Sequence, residues 1–427
     1  MRLSPDTVEF VLLSFEGPDL YSLVGGLGVR VSELAHCLAE QGYRTRLYFV
    51  GDPHRPHIQE MVGGKLTYHR WCQWLSALNP EGVYAGEARK ASDFTNSLPD
   101  HLIRFVLAPN AEHGKTTVVL AEDWHTAGAV CGLSRAVFRE GLSRRTLIMW
   151  NANNTFGFGG IDWEALRQAC AITTVSRYMK QVMQEVGVNP LVIPNGIPKR
   201  WLEPVDKAVT QSLRKLFPDV LLAKVGRYHT DKRWLMAVEA LGEQKRMGLK
   251  PKMIIRGGSE NHRINILEKA WQQGLVWSEV VLDRPSPAAI VEELKRHAEA
   301  DILELRFFVP EEFLRCLYAA ADATLANSGH EPFGLVGLEV MACGGIAFTG
   351  CTGEDYAHSF NNAVVIGSDD HREITVYLRN LLQDPKTARQ IRKLGQATCP
   401  NYLWEVVIDE MFRKIEFVAW IRGVDLD

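Results

Sequence analysis

A chain of 427 residues is too long for one ordinary hydrophobic core, so two domains of about 200 residues are expected. The composition, 46% hydrophobic and 23% charged without a low-complexity tract, excludes disordered and fibrous classes. A formal net charge of −3 gives no overall attraction for nucleic acid, which is not expected as a partner.

The first apolar run, residues 8–15, is interrupted by Glu9 and reads as a first strand rather than a signal peptide. No stretch approaches the ~18–20 apolar residues of a transmembrane helix. The expected location is the cytoplasm, with at most peripheral contact at the inner membrane face. The eight cysteines, at 37, 72, 131, 170, 316, 343, 351 and 399, show no Cys-x-x-Cys and no zinc spacing, and read as buried thiols in a reducing compartment.

Short β-rich runs alternate with helical patterns, which predicts parallel sheets flanked by helices. Strands are expected at 8–15, 44–50, 117–121, 146–150, 171–175 and 191–193, with a helix over 29–42 carrying Val31, Leu34, Ala35 and Leu38 on one face and closed by Gly42. Pro and Gly cluster over 195–204, the expected joint. A second series follows at 221–225, 252–256, 280–282, 303–308, 323–326 and 346–349. The final helix, 404–422, is too distant from that series to be one of its crossovers and is expected to run back along the first domain. The domains are expected at 1–197, 198–402 and, for the returning helix, 403–427: two Rossmann-like α/β layers facing across a cleft.

Several strand ends carry polar or glycine-rich segments. Gly25-Gly26-Leu27-Gly28 follows the first strand and suits either a close backbone approach to phosphate or sugar, or a plain tight turn. No acidic residue suited to an NAD ribose follows the second strand, Asp52 being a marginal candidate. His69-Arg70-Trp71 with Trp74 and Tyr84 would either stack on sugar rings or form a buried aromatic cluster. Asp123-Trp124-His125 follows the strand at 117–121; His125 suits a substrate hydroxyl or a structural role, and Asp123 would orient neighbouring donors. Arg135, Arg139, Arg144 and Arg145, interleaved with Val137 and Phe138, form either a solvated face or a contact for anionic lipid. Asn153-Asn154 and Thr173–Arg177 either line the cleft or cap the next helix.

In the second half, Arg227 and Lys232 follow the strand at 221–225 and suit convergence on a diphosphate, Arg as a fork and Lys as a point charge. The most informative segment runs from Ser328 to Gly345. Glu331 stands in a turn fixed by Pro332, and Glu339 falls eight positions later in a predicted helix that Gly344-Gly345 ends. Eight helical residues span roughly 12 Å, about the reach from a sugar through a diphosphate to a ribose. Backbone N–H groups from Phe333 through Gly334 and Leu335 to Val336 would receive the diphosphate, Glu331 the sugar hydroxyls and Glu339 the ribose. For either glutamate alone, a turn acid or a paired surface side chain is the competing reading. The sole Asp-x-Asp is Asp425–Asp427, at the chain's end, so no metal site is expected.

In this order the motifs resemble the GT-B glycosyltransferases of family 4, the retaining group related to glycogen and starch synthases. The resemblance runs from Gly25–Gly28 through Asp123-Trp124-His125, Thr173–Ser176, Ile193–Gly196, Gly226-Arg227 with Lys232, and Glu331–Glu339 to Trp404. It implies transfer of a hexose from a nucleotide sugar with retention, in carbohydrate, polysaccharide or lipid-linked glycoconjugate synthesis, without a cofactor or metal. Glu331, His125, Arg227 and Lys232 would be the catalytic group. Gly25, Gly26, Phe308, Val309, Phe333–Val336 and Glu339 would complete the donor site. Asp123, Trp124, Asn153, Asn154, Trp71 and Trp74 would face the acceptor. Two departures are evident: Leu23 replaces the lysine of the glycogen-synthase glycine loop, and Gly344-Gly345-Ile346 replaces the usual Gly-x-Pro. The expected donor is UDP-glucose. A nucleotide-sugar epimerase of the same fold, a non-catalytic sugar-nucleotide sensor and, more remotely, an NAD oxidoreductase are the alternatives.

Overall fold

The structure is a computed structural model that describes residues 3–258 and 260–426. The chain divides into two compact units, one comprising the chain up to Gly196 and from Trp404 onward, the other Ile197–Leu403.

In the first unit an eight-stranded sheet contains β1 (Val8–Leu13), β2 (Thr45–Val50), β3 (Ile58–Met61), β4 (Leu66–Trp71), β5 (Thr116–Glu122), β6 (Thr146–Ala152), β7 (Ala171–Thr174) and β8 (Leu191–Val192), in the order β3-β4-β2-β1-β5-β6-β7-β8. Every residue of β1, β5 and β6 is buried, as a parallel sheet covered on both faces requires. The helix Gly26–Glu40 follows β1 and buries Val31, Leu34, Ala35 and Leu38. The helix Trp404–Arg422 spans its expected residues and lays Val407, Ile408, Met411, Phe412 and Ile415 into the same core, with Phe412 stacked on Phe10 at 5.9 Å. A side chain at Gly196 would put its Cβ 2.5 Å from the Trp404 ring, so only glycine lets the two segments pass.

The second unit carries β9 (Val220–Val225), β10 (Pro251–Arg256), β11 (Trp277–Val280), β12 (Ile302–Leu305), β13 (Ala323–Ala326), β14 (Ala347–Thr349) and β15 (Val364–Val365), all parallel in the order β11-β12-β10-β9-β13-β14-β15.

Three strands were not foreseen: β3, β4 and β15. β4 was obscured by Arg70, which looks like a surface residue yet is buried. Its guanidinium bonds Asp19 at 2.7 and 2.8 Å, Pro56 O at 2.8 Å and Gln59 at 2.8 Å. β3 pairs antiparallel at the sheet's edge with an alternating exposed pattern, and β15 is two residues long. The strand expected at 303–308 ends at Leu305, and that expected at 280–282 lies instead at Trp277–Val280. All eight cysteines are free thiols, but Cys351 is exposed and Cys131 half-buried, against the expectation that all would be internal. Asp427 lies outside the described residues.

Candidate functional site

The order of the second sheet reverses at β9, whose neighbours are β10 on one side and β13 on the other. Open α/β sheets gather ligands at the carboxyl ends of such strands. The segment leaving β9 carries Arg227 and Lys232, and the one leaving β13 carries Glu331. Lys232 Nζ lies 2.5 Å from Glu331 Oε2, with 27% and 17% of the two side chains exposed. Beneath this pair Lys224 is buried in β9 and ties the strands together, donating to Leu325 O at 3.0 Å and Asn327 Oδ1 at 2.6 Å. Its ammonium lies 5.0 Å from the Trp234 ring; burial, with the charge of Lys232 second, holds its pKa well below the usual lysine range. Arg227 is exposed, and its carbonyl accepts from Trp234 Nε1 at 2.8 Å.

Glu331 is fixed through its main chain. Its N–H donates to Thr352 Oγ1 at 2.9 Å, while its carbonyl accepts from the same hydroxyl at 3.1 Å and from the Gly353 N–H at 2.8 Å. Glu354 lies under this turn, buried, and accepts from the Gly350 and Thr352 N–H groups at 3.1 Å each. Burial, reinforced by the nearby charge of Glu331, pushes the Glu354 carboxyl up to about 8.

The helix after Glu331 starts later than the spacing argument assumed. It runs Leu335–Ala342 behind Gly334, which has φ +83° and whose carbonyl accepts from the Tyr356 hydroxyl. Glu331 and Glu339 are therefore joined by a turn and a short helix, and the 12 Å of continuous helix does not exist. Phe333 is buried, Leu335 and Val336 form the first helical turn, and Glu339 is half-buried in the second. Phe308 and Val309 follow β12, with β10 intervening before β9; Phe308 is exposed and Val309 buried.

In the first unit the reversal falls at β1, flanked by β2 and β5. The amides of Gly25 and Gly28 both donate to Glu16 Oε2 at 3.0 Å, and Tyr84 OH donates to Glu16 Oε1 at 2.5 Å. The glycine loop thus holds the chain's own carboxylate. After β5, His125 is buried, stacked between Phe15 at 4.0 Å and Trp124 at 3.8 Å, with Nε2 2.8 Å from Glu87 Oε1. Burial lowers its pKa although Glu87 opposes this.

Asp123, buried at φ +61°, accepts from Asn153 N–H and Asn154 Nδ2 at 2.7 Å each; burial pushes its carboxyl up to about 7 against the Asn153 bond. Next to it Glu122 receives Arg30 Nε at 3.2 Å, Asn151 Nδ2 at 2.9 Å and Asn153 Nδ2 at 2.6 Å. Asn153 and Asn154 are thus fastened to these carboxylates. Ser176 caps the helix Arg177–Glu185. Trp71 bonds Ser97 Oγ at 2.8 Å and meets His101 edge-on at 4.9 Å, whereas Trp74 is exposed on the short helix Gln73–Ala77. The aromatic segment thus divides, Trp71 inside a cluster and Trp74 outside it.

Among the described residues no group of three or more His, Cys, Asp or Glu is arranged to hold a metal ion, and no helix is long and apolar enough to cross a membrane.

Two family models account for most of the chain: residues 24–200 match Glycosyltransferase Family 4, and residues 211–398 match Glycosyl transferases group 1. The chain belongs to the family 4 glycosyltransferases. Like others of the family it has the GT-B fold. It is similar to the catalytic domain of starch synthase IV from Arabidopsis thaliana bound to ADP and acarbose, with TM-score 0.67 and 14% identity over 98% of this chain and 99% of that one. It is also similar to HepE of Anabaena in complex with UDP and glucose, with TM-score 0.61 and 13% identity over 96% and 99%. A D-inositol 3-phosphate glycosyltransferase of Segniliparus rotundus is 26% identical over 235 residues, 54% of this chain and 47% of that protein. The chain therefore matches about half the length of this curated relative.

Within this family 4 chain, sequence reasoning missed Glu16, Arg30, Glu87, Glu122, Lys224, Thr352 and Glu354. Lys224 had a signal, a lone charge in the apolar strand VLLAKV. Glu354 meets Gly350 and Thr352 within its own turn, where nothing in the sequence announces its burial, and the others meet partners farther along the chain.

Proposed function

We propose that this protein transfers a hexose, glucose from UDP-glucose, to a hydroxyl of a carbohydrate or lipid-linked acceptor, with retention of configuration and without a metal. The observation that carries this reading is the Lys232–Glu331 pair at the ends of adjacent strands β9 and β13, ahead of the Gly334-capped helix.

Glu331, its backbone locked by Thr352, accepts hydrogen bonds from the sugar hydroxyls. Lys232 and Arg227 hold the diphosphate, Leu335 and Val336 offer N–H groups at the helix start, and Glu339 takes the ribose. The bond from the anomeric carbon to the phosphate oxygen breaks with its electron pair on phosphate. The acceptor oxygen bonds the same carbon on the same face, and its proton passes to the departing phosphate. Charge then grows on the diphosphate, where two preorganised cations stabilise it. Phe308 and Val309 are assigned to the base. In the first unit, His125 is assigned to the sugar hydroxyl, and Asp123, Trp124, Asn153 and Asn154 to the acceptor side, with Trp71 and Trp74 beyond them.

The amides of Gly25 and Gly28 are engaged by Glu16, so the glycine-loop contact to the donor proposed for Gly25 and Gly26 requires that carboxylate to move or leaves only Gly26 available. Leu23 in place of lysine argues against ADP-glucose, and HepE, a structural relative, holds UDP and glucose. A cytoplasmic place in polysaccharide or glycoconjugate synthesis suits these substrates.

The test is a panel of UDP-, GDP- and ADP-glucose and UDP-N-acetylglucosamine, followed for release of nucleoside diphosphate and for the sugar product. Slow hydrolysis of UDP-glucose that disappears in Glu331→Gln is expected. Conversion of UDP-N-acetylglucosamine without nucleotide release would instead identify an epimerase, and thermal stabilisation by nucleotide without turnover a sensor.

A further inference from the structure

His125 has no polar atom left to offer a ligand. Its ring is stacked between Phe15 and Trp124, and 5% of the side chain is exposed. Nδ1 is buried and has no hydrogen-bond partner among the described residues, while Nε2 lies 2.8 Å from Glu87 Oε1. A carboxylate only accepts, so Nε2 carries the ring proton and Nδ1 the lone pair. Burial, which holds the imidazole below its usual pKa, favours this neutral form.

Glu87 is the open half of this pair. It begins the helix Glu87–Leu102 behind Gly86, and 38% of its side chain is exposed. The three acids that follow β1 and β5 have both carboxylate oxygens engaged. Glu16 takes the Tyr84 hydroxyl on one and the Gly25 and Gly28 amides on the other. Glu122 takes Arg30 on both, with Asn151 and Asn153 on the second. Asp123 takes the Asn153 N–H and Asn154 Nδ2. Glu87 differs: Oε1 holds the imidazole, and Oε2 accepts no hydrogen bond among the described residues.

We propose that Glu87 is the side chain that meets the hexose hydroxyl at this end of the first sheet, through Oε2, and that His125 is its positioning residue. This deepens the donor-site reading and rests on it: His125 serves the hydroxyl through Glu87 rather than directly. The imidazole N–H holds one carboxylate oxygen in place, and the rings stacked on both sides keep the imidazole from turning. The second oxygen keeps its lone pairs for a donor, the complement of a neutral hydroxyl. A phosphate in the same place would face the Glu87 charge, so the pair selects an unphosphorylated hexose.

UDP-glucose and UDP are titrated calorimetrically into the full chain. Glu87→Ala is expected to weaken UDP-glucose on the order of tenfold, the loss of one charged hydrogen bond, and to leave UDP unchanged. Glu87→Gln should lose as much, because its one oxygen stays with the imidazole and its amide N–H groups replace the acceptor. His125→Ala should match Glu87→Ala, and E87A/H125A should bind no more weakly than E87A, since one residue acts through the other. Unchanged UDP-glucose affinity in Glu87→Ala would overturn the proposal. So would Glu87→Gln binding like the wild type, because a carboxamide holds the imidazole as well as a carboxylate does. A further loss in the double variant would put His125 itself on the sugar and overturn it too. Where removal of the stacked ring prevents folding, seen in thermal melts, the two Glu87 variants decide alone. A wild-type chain that binds no UDP-glucose would overturn the donor reading, and this proposal with it.

Discussion

Lys232 and Glu331, ninety-nine residues apart, form an ion pair of 2.5 Å because the strands that deliver them, β9 and β13, are neighbours where the sheet order reverses. The cation proposed for the diphosphate and the carboxylate proposed for the sugar hydroxyls thus start in contact. A donor sugar would separate their roles without either side chain travelling far.

Glu331→Gln and Lys232→Ala are each expected to lower nucleotide-sugar turnover by about 10²–10³-fold, the usual loss when one preorganised charge partner leaves a transferring group. The pair is partly solvated, so stability should change by less than ~1 kcal/mol. Nucleotide release and thermal melts of both variants check this. Turnover near the wild-type rate in either would remove the pair from the chemistry.

Glu354 gives a pH signature. Its carboxyl titrates near 8 in the folded protein because of burial and the charge of Glu331, against 4.5 as the ordinary value. Between these values the folded state keeps a proton that the unfolded chain releases. This contribution to stability is complete below about 4.5, declines as pH rises, and is gone above about 8, at no more than ~1.4 kcal/mol per pH unit. Glu354→Gln cannot ionise, so the melting temperature of the wild type should fall relative to this variant across that window. Parallel melting curves against pH would contradict the assignment.

In the first unit Arg30 and Glu122 are both buried at 3.2 Å, and Arg30 also reaches Asn195 Oδ1. Arg30→Ala strands the Glu122 carboxylate with only Asn151 and Asn153 and should cost about 3–5 kcal/mol in urea unfolding. The double variant R30M/E122L should lose less than the single one, since no lone charge remains inside.

Gly334 has φ +83°, and a Cβ there would lie 2.7 Å from Glu354 Cγ. Gly334→Ala should destabilise by about 1–3 kcal/mol through backbone strain and overpacking. It should also weaken UDP binding, because the helix start would shift; titration calorimetry alongside thermal melts separates the two effects.

Strand and helix periodicity placed most of the regular elements, because buried parallel strands are continuous apolar runs and the helix Trp404–Arg422 has an unbroken core stripe. β4 escaped because Arg70 is buried by Asp19, a partner fifty-one residues away that no window contains. The glycine loop is a related case. Its spacing advertises free amides, but Glu16 occupies those of Gly25 and Gly28.

By itself, then, the sequence determined the alternation of strand and helix and which residue types stand at strand ends, since both follow from local periodicity and turn chemistry. Which of those ends meet was decided by the tertiary structure alone. Strand order brings Lys232 to Glu331, Phe15 to His125 and Arg30 to Glu122. Burial then sets which carboxyls, Glu354 and Asp123 among them, hold a proton near neutrality. Strand order and desolvation are properties of the packed molecule, and no stretch of neighbouring residues encodes them.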